Sequence, residues 1–186
     1  MVRVKKRWNQ HGKPRSVAQM ANAIGATVWK LAADVLLNLE NENFETATQG
    51  QRVDILEELV AYLVHYSDRW IYPKTDQHQR AEFISCLARD MARLLEDSRI
   101  DVQGEGEYQQ AFLDKMNQRS GDYAAFGFSE SEGASFAMRC RLGERIQLCM
   151  GERDNRWIPD YIVGREAPEI ETALKGSLTG LVGFES

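Results

Sequence analysis

Apolar residues recur at intervals of three and four along most of this chain, which is the spacing of one face of an amphipathic α-helix. The clearest run follows Ser16, a suitable N-cap, and contains Val17, Met20, Ala21, Ile24, Val28, Leu31, Val35 and Leu39. The pattern predicts a first helix over residues 16–41. A polar loop then leads to Gly50.

A second helix is predicted from Gln51 to Tyr72, where Pro73 ends it because proline lacks an N–H and restricts the residue before it. Its apolar face consists of Val53, Leu56, Val60, Leu63, Val64, Ser67, Trp70 and Ile71. The opposite side carries Asp54, Glu58, Ala61, His65, Asp68 and Tyr72. We expect this second side to face solvent.

The rest of the chain continues the helical pattern with interruptions. A third helix, capped by Asp76, is predicted over residues 77–97, and the short link PKTDQ makes it an antiparallel neighbour of the second. A shorter helix follows over residues 105–119, and a fifth lies within SEGASFAMRCRLGERIQLCMG. The segment ERDNRWIPDYIVGRE is predicted to be irregular, with an extended piece at 161–163. A last helix opens near Pro168.

No series of segments alternates with a period of two, so a β or α/β fold is disfavoured. The sequence predicts an all-α protein: a single bundle of about six helices, with an N-terminal three-helix core and a C-terminal helical pair packed on it. We expect a basic N-terminal arm at residues 1–15 and one helical domain at 16–186. The small and turn-forming residues near 119–133 mark a possible boundary inside that domain.

Charge is distributed unevenly. Residues 1–15 hold six basic residues and no acid, which leaves 17 basic against 28 acidic residues, a formal charge of −11, in the remainder. An acidic body repels nucleic acid and anionic lipid. Nucleic acid is therefore an unfavoured partner, although the basic arm with Trp8 gives weak nucleic-acid binding as a second alternative function.

Composition also bears on the cellular setting. The three cysteines, Cys86, Cys140 and Cys149, are too few for a disulfide framework and are typical of reduced, buried thiols. No uninterrupted apolar run approaches the roughly 20 residues that a membrane span needs. The basic N-terminus lacks the apolar stretch of a secretory signal. We expect a cytoplasmic protein without a membrane span.

The sequence contains few motifs that would indicate catalysis. It contains no Gly-x-Ser-x-Gly elbow, no phosphate-binding loop and no Glu-x-x-His pair, so we expect neither a cofactor nor a metal. One alternative stays open. His65 and Asp68 are helical neighbours, and His78 lies just past the Pro73 turn. A small enzyme, or a protein that binds a cofactor or metal, would use these three residues at one end of the bundle.

Two similar segments, SDRWIYP and DNRWIPDY, each place an acid, arginine, tryptophan and isoleucine ahead of a proline. Tryptophan, tyrosine and arginine are the residues that most often dominate protein interfaces. The candidate interaction residues are therefore Arg69, Trp70, Tyr72, Arg156, Trp157 and Tyr161. The competing interpretation is that each tryptophan closes an end of the bundle. The predicted function is a non-enzymatic interaction module, such as an adaptor, assembly factor or inhibitor, with a protein partner or self-association.

Overall fold

The computed structural model describes residues 15–151 and 155–181, and over these residues the chain is a bundle of helices, as predicted. The helices are α1 (Val17–Asn41), α2 (Gln49–Ile71), α3 (Gln77–Gln103), α4 (Tyr108–Ala124), α5 (Phe136–Cys149), the short α6 (Ile158–Tyr161) and α7 (Ala167–Leu181). Two short strands, β1 (Phe128–Ser129) and β2 (Gly133–Ala134), form an antiparallel hairpin between α4 and α5. The sequence did not predict this hairpin.

Capping residues set the ends of the first three helices. The Ser16 hydroxyl accepts a hydrogen bond from the Gln19 N–H, and the Gln19 side chain accepts one from the Ser16 N–H, which is a complete capping box. The Asp76 carboxylate caps α3 as predicted. After α2 the chain makes a 3₁₀ turn, Tyr72–Lys74, that contains Pro73. The helix α3 extends past the predicted end to Gly104, whose φ of 83° suits glycine.

The helix α2 is the central element, and the prediction that its polar side faces solvent was wrong. It packs against α1, α3, α4, α5 and α7, so neighbours cover it on every side. Sixteen of its 23 residues are buried, among them Glu57, Glu58 and His65. Helical periodicity identified one apolar face correctly, but it could not show that later helices cover the opposite face as well.

The buried acids of α2 are paired with basic residues from α3 and α4. The Arg99 guanidinium donates to Glu57, and the Arg119 guanidinium donates to both oxygens of Glu58 at 2.7 and 2.8 Å. Lys115 donates to Glu57 as well. Hydrogen bonds to Glu58 raise the pKa of Arg119 above its ordinary value. Removing one partner of such a pair leaves a buried charge unpaired, which costs about 3–5 kcal/mol.

A second buried network joins α2, α5 and α7. Arg139 donates two hydrogen bonds to Glu171, at 3.0 and 2.8 Å, and the Tyr62 hydroxyl donates to the same carboxylate. Burial, followed by the Glu171 charge, raises the pKa of Tyr62 well above its ordinary value. The hairpin packs beside this network at Gly133. The φ of Gly133 is 74°, and a Cβ there would lie 3.0 Å from the Tyr66 hydroxyl oxygen.

Residues 155–166 are helical, so the prediction that they are irregular, with an extended piece at 161–163, was wrong. A 3₁₀ turn, Asn155–Trp157, leads into α6, and a π-helical turn, Ile162–Glu166, connects α6 with α7. Ile158, Ile162 and Glu166 are buried at intervals of four, which is a helical face. Gly143 of α5 lets the backbone of Pro159 approach closely, since a Cβ there would lie 2.9 Å from the Pro159 Cα.

Among the described helices, α1 is long and apolar enough, by length and composition alone, to cross a membrane. In the bundle its apolar residues, such as Ile24, Val28 and Leu39, are fully buried against α2, α3 and α7. That arrangement is the ordinary one for a core helix. The predicted basic arm lies outside the described residues apart from Arg15. The arm and the boundary near 119–133 stay predictions.

Candidate functional site

The N-terminal candidate residues gather where α2 turns into α3. This region, residues 68–74, is called the Trp70 corner. Two cavities lie beside it. The Trp70 pocket, about 390 Å³, is lined by Arg69, Trp70, Tyr72, Pro73, Arg80, Phe128 and Glu130. The His65 pocket, about 290 Å³, lies between α2, α3 and α4. Arg80 lines both cavities and therefore forms part of the wall between them.

The Trp70 pocket has a buried aromatic side chain at its base and an exposed one at its edge. Trp70 is 5% exposed, whereas Tyr72 is 64% exposed. Phe128, from the hairpin, packs edge-on against Tyr66 of α2, with ring centroids 5.1 Å apart. The indole N–H of Trp70 is buried and has no hydrogen-bond acceptor within the described residues. The pocket is thus apolar inside and held by two separate parts of the fold.

Each aromatic ring of the pocket has a basic side chain over it. Lys74 lies 4.1 Å from the centroid of Trp70, the Arg80 guanidinium lies 4.8 Å from that of Tyr72, and the Arg69 guanidinium lies 5.7 Å from that of Phe128. Such contacts contribute about 0.5–1 kcal/mol each at exposed positions. Because the rings already contact the chain's own cations, the pocket is poorly suited to a cationic ligand.

Two of these three cations are neutralised within the chain. Arg80 forms a bidentate ion pair with Asp68, with both contacts at 2.6 Å, and these hydrogen bonds raise the pKa of Arg80 above its ordinary value. Lys74 lies 2.6 Å from the Glu130 carboxylate. Arg69 is half-buried and has no ion pair or hydrogen-bonded acceptor among the residues that the structure describes. Among the residues that the structure describes, the pocket therefore carries one positive charge without a carboxylate partner.

His65 lies in the neighbouring cavity, the His65 pocket. The sequence pattern instead predicted it on a solvated surface. His65 is 4% exposed, and its Nε2 atom is buried without a partner in the described part of the chain. Burial lowers the pKa of His65 to about 4, so the imidazole is neutral at pH 7. The nearby Asp68 opposes this shift but makes its hydrogen bonds to Arg80. His65 is thus not oriented by a carboxylate in the manner of a catalytic dyad.

The third residue of the metal hypothesis lies apart from the other two. His78 is exposed on the first turn of α3 and lines neither cavity. Within residues 15–151 and 155–181, no three histidine, cysteine or carboxylate side chains are arranged to hold a metal ion. The structure brings His65 and Asp68 to one cavity and leaves His78 outside it.

The second segment, called the Trp157 corner (residues 155–161), occupies the opposite end of the bundle. Tyr161 packs against Phe44, in the loop between α1 and α2, with ring centroids 5.2 Å apart. Trp157 is 53% exposed, and its ring contacts the exposed Arg156 guanidinium, 4.7 Å from the centroid. The six candidate interaction residues therefore form two separate surfaces.

Sequence reasoning missed three charged or aromatic residues that line the Trp70 pocket, namely Arg80, Phe128 and Glu130. Arg80 could have been predicted, because it lies in the first turn of α3 and the turn at Pro73 brings it close to Asp68. Phe128 could not, because each strand of its hairpin is two residues long, too short to show the alternation that predicts a strand. No protein-family model, curated protein or solved structure matches this chain.

Proposed function

We propose that this chain is a non-enzymatic interaction module that holds a segment of a partner protein in the Trp70 pocket. The observation that supports it is an aromatic cavity with a buried base at Trp70 and an exposed edge at Tyr72, beside the unpaired Arg69. Tryptophan, tyrosine and arginine are the residues whose removal most often costs binding energy at interfaces. An adaptor, an assembly factor or an inhibitor would each use such a surface.

The size of the cavity favours side chains over a cofactor. Ligand sites generally occupy about 300–1,000 Å³, and the Trp70 pocket, at about 390 Å³, is near the lower limit. It has room for one or two side chains that project from a peptide. A pocket of this kind anchors a segment, while the surface around it supplies the rest of the contact area.

The walls of the pocket are fixed before any partner arrives. Asp68 holds Arg80, Glu130 holds Lys74, and Tyr66 packs against Phe128. Side chains that are already ordered lose little conformational entropy on binding, so more of the interaction energy is available as affinity. This preorganisation is a second argument for a binding surface.

The test is a pull-down from native lysate with three variants of the full chain. Tyr72→Ala removes an exposed ring at the edge of the pocket. Phe136→Ala is the matched control, since Phe136 is 71% exposed at the start of α5. Trp157→Ala tests the other corner. Circular dichroism verifies that each variant is folded.

We expect a stoichiometric protein that the wild type, Phe136→Ala and Trp157→Ala retain and that Tyr72→Ala loses. Loss with Trp157→Ala and retention with Tyr72→Ala would assign the interaction to the other corner and overturn the proposal. A partner retained equally by all three variants would also exclude the Trp70 pocket.

A small enzyme or ligand-binding protein that uses the His65 pocket is the second candidate function. The observation in its favour is a neutral, 96%-buried imidazole beside a cavity of about 290 Å³. A neutral imidazole accepts a hydrogen bond from a ligand that enters the cavity, although its pKa of about 4 makes it a weak base at pH 7. Native mass spectrometry of the wild type and His65→Gln tests this function. A bound small molecule that only the wild type retains supports it, and bare chains in both samples reject it.

A further inference from the structure

We propose that the partner segment brings one acidic side chain, next to a large apolar or aromatic residue, and that Arg69 binds its carboxylate. This inference rests on the proposed function and adds the chemistry of the occupant. Arg69 lines the pocket between α2 and the hairpin, where its guanidinium lies over Phe128. The apolar residue would lie against Trp70, Tyr72 and Pro73 in the same cavity.

The three cations of the corner differ in whether a carboxylate is paired with them. Arg80 and Lys74 each have a carboxylate within 2.6 Å, and Arg69 has none among the residues the structure describes. A half-buried guanidinium presents a planar fork of N–H donors that matches a carboxylate, and such charge-assisted pairs are about twice as strong as neutral hydrogen bonds. The ligand group that best completes this pocket is therefore a carboxylate.

Arg69 has a structural role too, which the test must separate from binding. It lies in the last turn of α2, where the negative end of the helix dipole stabilises a cation. That interaction stabilises any positive charge at this position, and its strength does not depend on which ligand is bound. Selection between a charged and a neutral ligand of the same shape is therefore the property that identifies carboxylate binding.

The surrounding charge restricts the occupant further. Residues 16–186 carry a formal charge of −11, so a run of acidic residues would be repelled by most of the surface. One acid within an otherwise neutral, apolar segment meets the positive charge of Arg69 at short range and avoids most of that repulsion. A second copy of this acidic chain is disfavoured as the occupant for the same reason.

The experiment compares two short peptides, acetyl-Glu-Trp-amide and acetyl-Gln-Trp-amide, which differ by one carboxylate. Binding to the full chain is followed by NMR through the indole N–H resonance of Trp70, which Trp70→Phe identifies. The chain variants are Arg69→Gln and the control Arg141→Gln. Arg141 is matched because its guanidinium lies over Phe126 at 5.8 Å, much as Arg69 lies over Phe128.

We expect the glutamate peptide to bind the wild type and Arg141→Gln roughly tenfold more tightly than the glutamine peptide. Arg69→Gln should bind both peptides with equal, weak affinity. Equal binding of both peptides to the wild type would overturn the carboxylate inference and leave the Trp70 pocket as an interaction site. No shift of the Trp70 resonance with either peptide at millimolar concentration would overturn both.

Discussion

The two Arg-Trp-Ile corners share a sequence pattern and differ in nearly everything else. In the Trp70 corner the tryptophan is 5% exposed, Arg69 is half-buried and a cavity lies beside them. In the Trp157 corner the tryptophan is 53% exposed and its arginine is exposed with it. The isoleucines agree, since Ile71 and Ile158 are both fully buried.

The difference comes from the place of each segment in the bundle. The Trp70 corner ends α2, which five other helices surround, and the hairpin adds Phe128 over it. The Trp157 corner lies on an outer segment that packs mainly against α5 and against the π-helical turn that follows it. The Arg-Trp-Ile motif therefore determines which residue types are present at each corner. The helices and the hairpin that pack on the corner determine which of these side chains are buried.

The largest expected difference between the corners is in the cost of losing each tryptophan. Trp70→Ala should lower the free energy of unfolding by about 3–5 kcal/mol, because it empties a buried site. Trp157→Ala should change it by less than about 0.5 kcal/mol, as expected for an exposed residue. Urea unfolding, followed by circular dichroism, measures both values.

If Trp70→Ala does not fold, Trp70→Phe gives the same comparison on a smaller scale. The indole N–H of Trp70 has no acceptor in the described residues, so phenylalanine removes no hydrogen bond that the structure contains. Its cost should therefore stay below that of alanine. Equal costs for alanine substitution at the two tryptophans would contradict the assignment of Trp70 to the core.

The pH dependence of stability should distinguish the buried His65, beside the Trp70 corner, from the exposed His78. The pKa of His65 is about 4 in the fold and about 6.5 in the unfolded chain. Between these values the unfolded state binds more protons, so His65 contributes its full stability above pH 6.5 and loses it as the pH falls towards 4. The total loss is about 3 kcal/mol at most, at 1.36 kcal/mol per pKa unit.

The comparison requires urea unfolding of the wild type, His65→Gln and His78→Gln from pH 7.5 to 4.5. The wild type and His78→Gln should lose stability in parallel, because His78 is exposed. His65→Gln should lose less over the same range. Parallel curves for all three proteins would show that His65 is not buried in its neutral form.

How far the sequence could predict this molecule depended on whether the deciding contacts were local. The capping residues Ser16 and Asp76 and the break at Pro73 act within one turn of helix, and these ends of the first three helices were predicted within two residues, whereas α3 extends beyond its predicted end to Gln103. Burial of Glu58 depends on Arg119, 61 residues away, and no periodicity within α2 contains that information. The local pattern therefore predicted the helices better than their exposure.

The candidate site follows the same rule. His65, Asp68 and Trp70 lie near the end of α2, whereas His78, which the metal hypothesis grouped with His65 and Asp68, lines neither cavity. The ion pair between Asp68 and Arg80 and the packing of Phe128 at the pocket are tertiary contacts, and no local pattern within α2 contains them. The helical nature of residues 155–166 was missed because its apolar side is short and is interrupted by Pro159.

A smaller effect tests what the two corners have in common. Ile71→Val and Ile158→Val should each cost about 0.5–1.5 kcal/mol, since both side chains are fully buried and each loses one methylene group. The costs of the two isoleucine substitutions should differ less from each other than the costs of the two tryptophan substitutions do. Thermal or urea unfolding gives both. A negligible cost for Ile158→Val would show that the Trp157 corner is not anchored in the core.

The smallest expected difference concerns the cations over the two indole rings. Lys74 lies 4.1 Å from the Trp70 centroid and also pairs with Glu130, whereas Arg156 lies 4.7 Å from an exposed Trp157 and has no carboxylate partner in the described chain. Lys74→Gln should therefore cost about 0.5–1 kcal/mol, and Arg156→Gln less than that. Raising the salt concentration should reduce the cost of Lys74→Gln, because its ion pair is partly exposed and is screened. A cost for Arg156→Gln that equals or exceeds that of Lys74→Gln would mean that ring contact alone, without burial or a paired carboxylate, accounts for the stability of both corners.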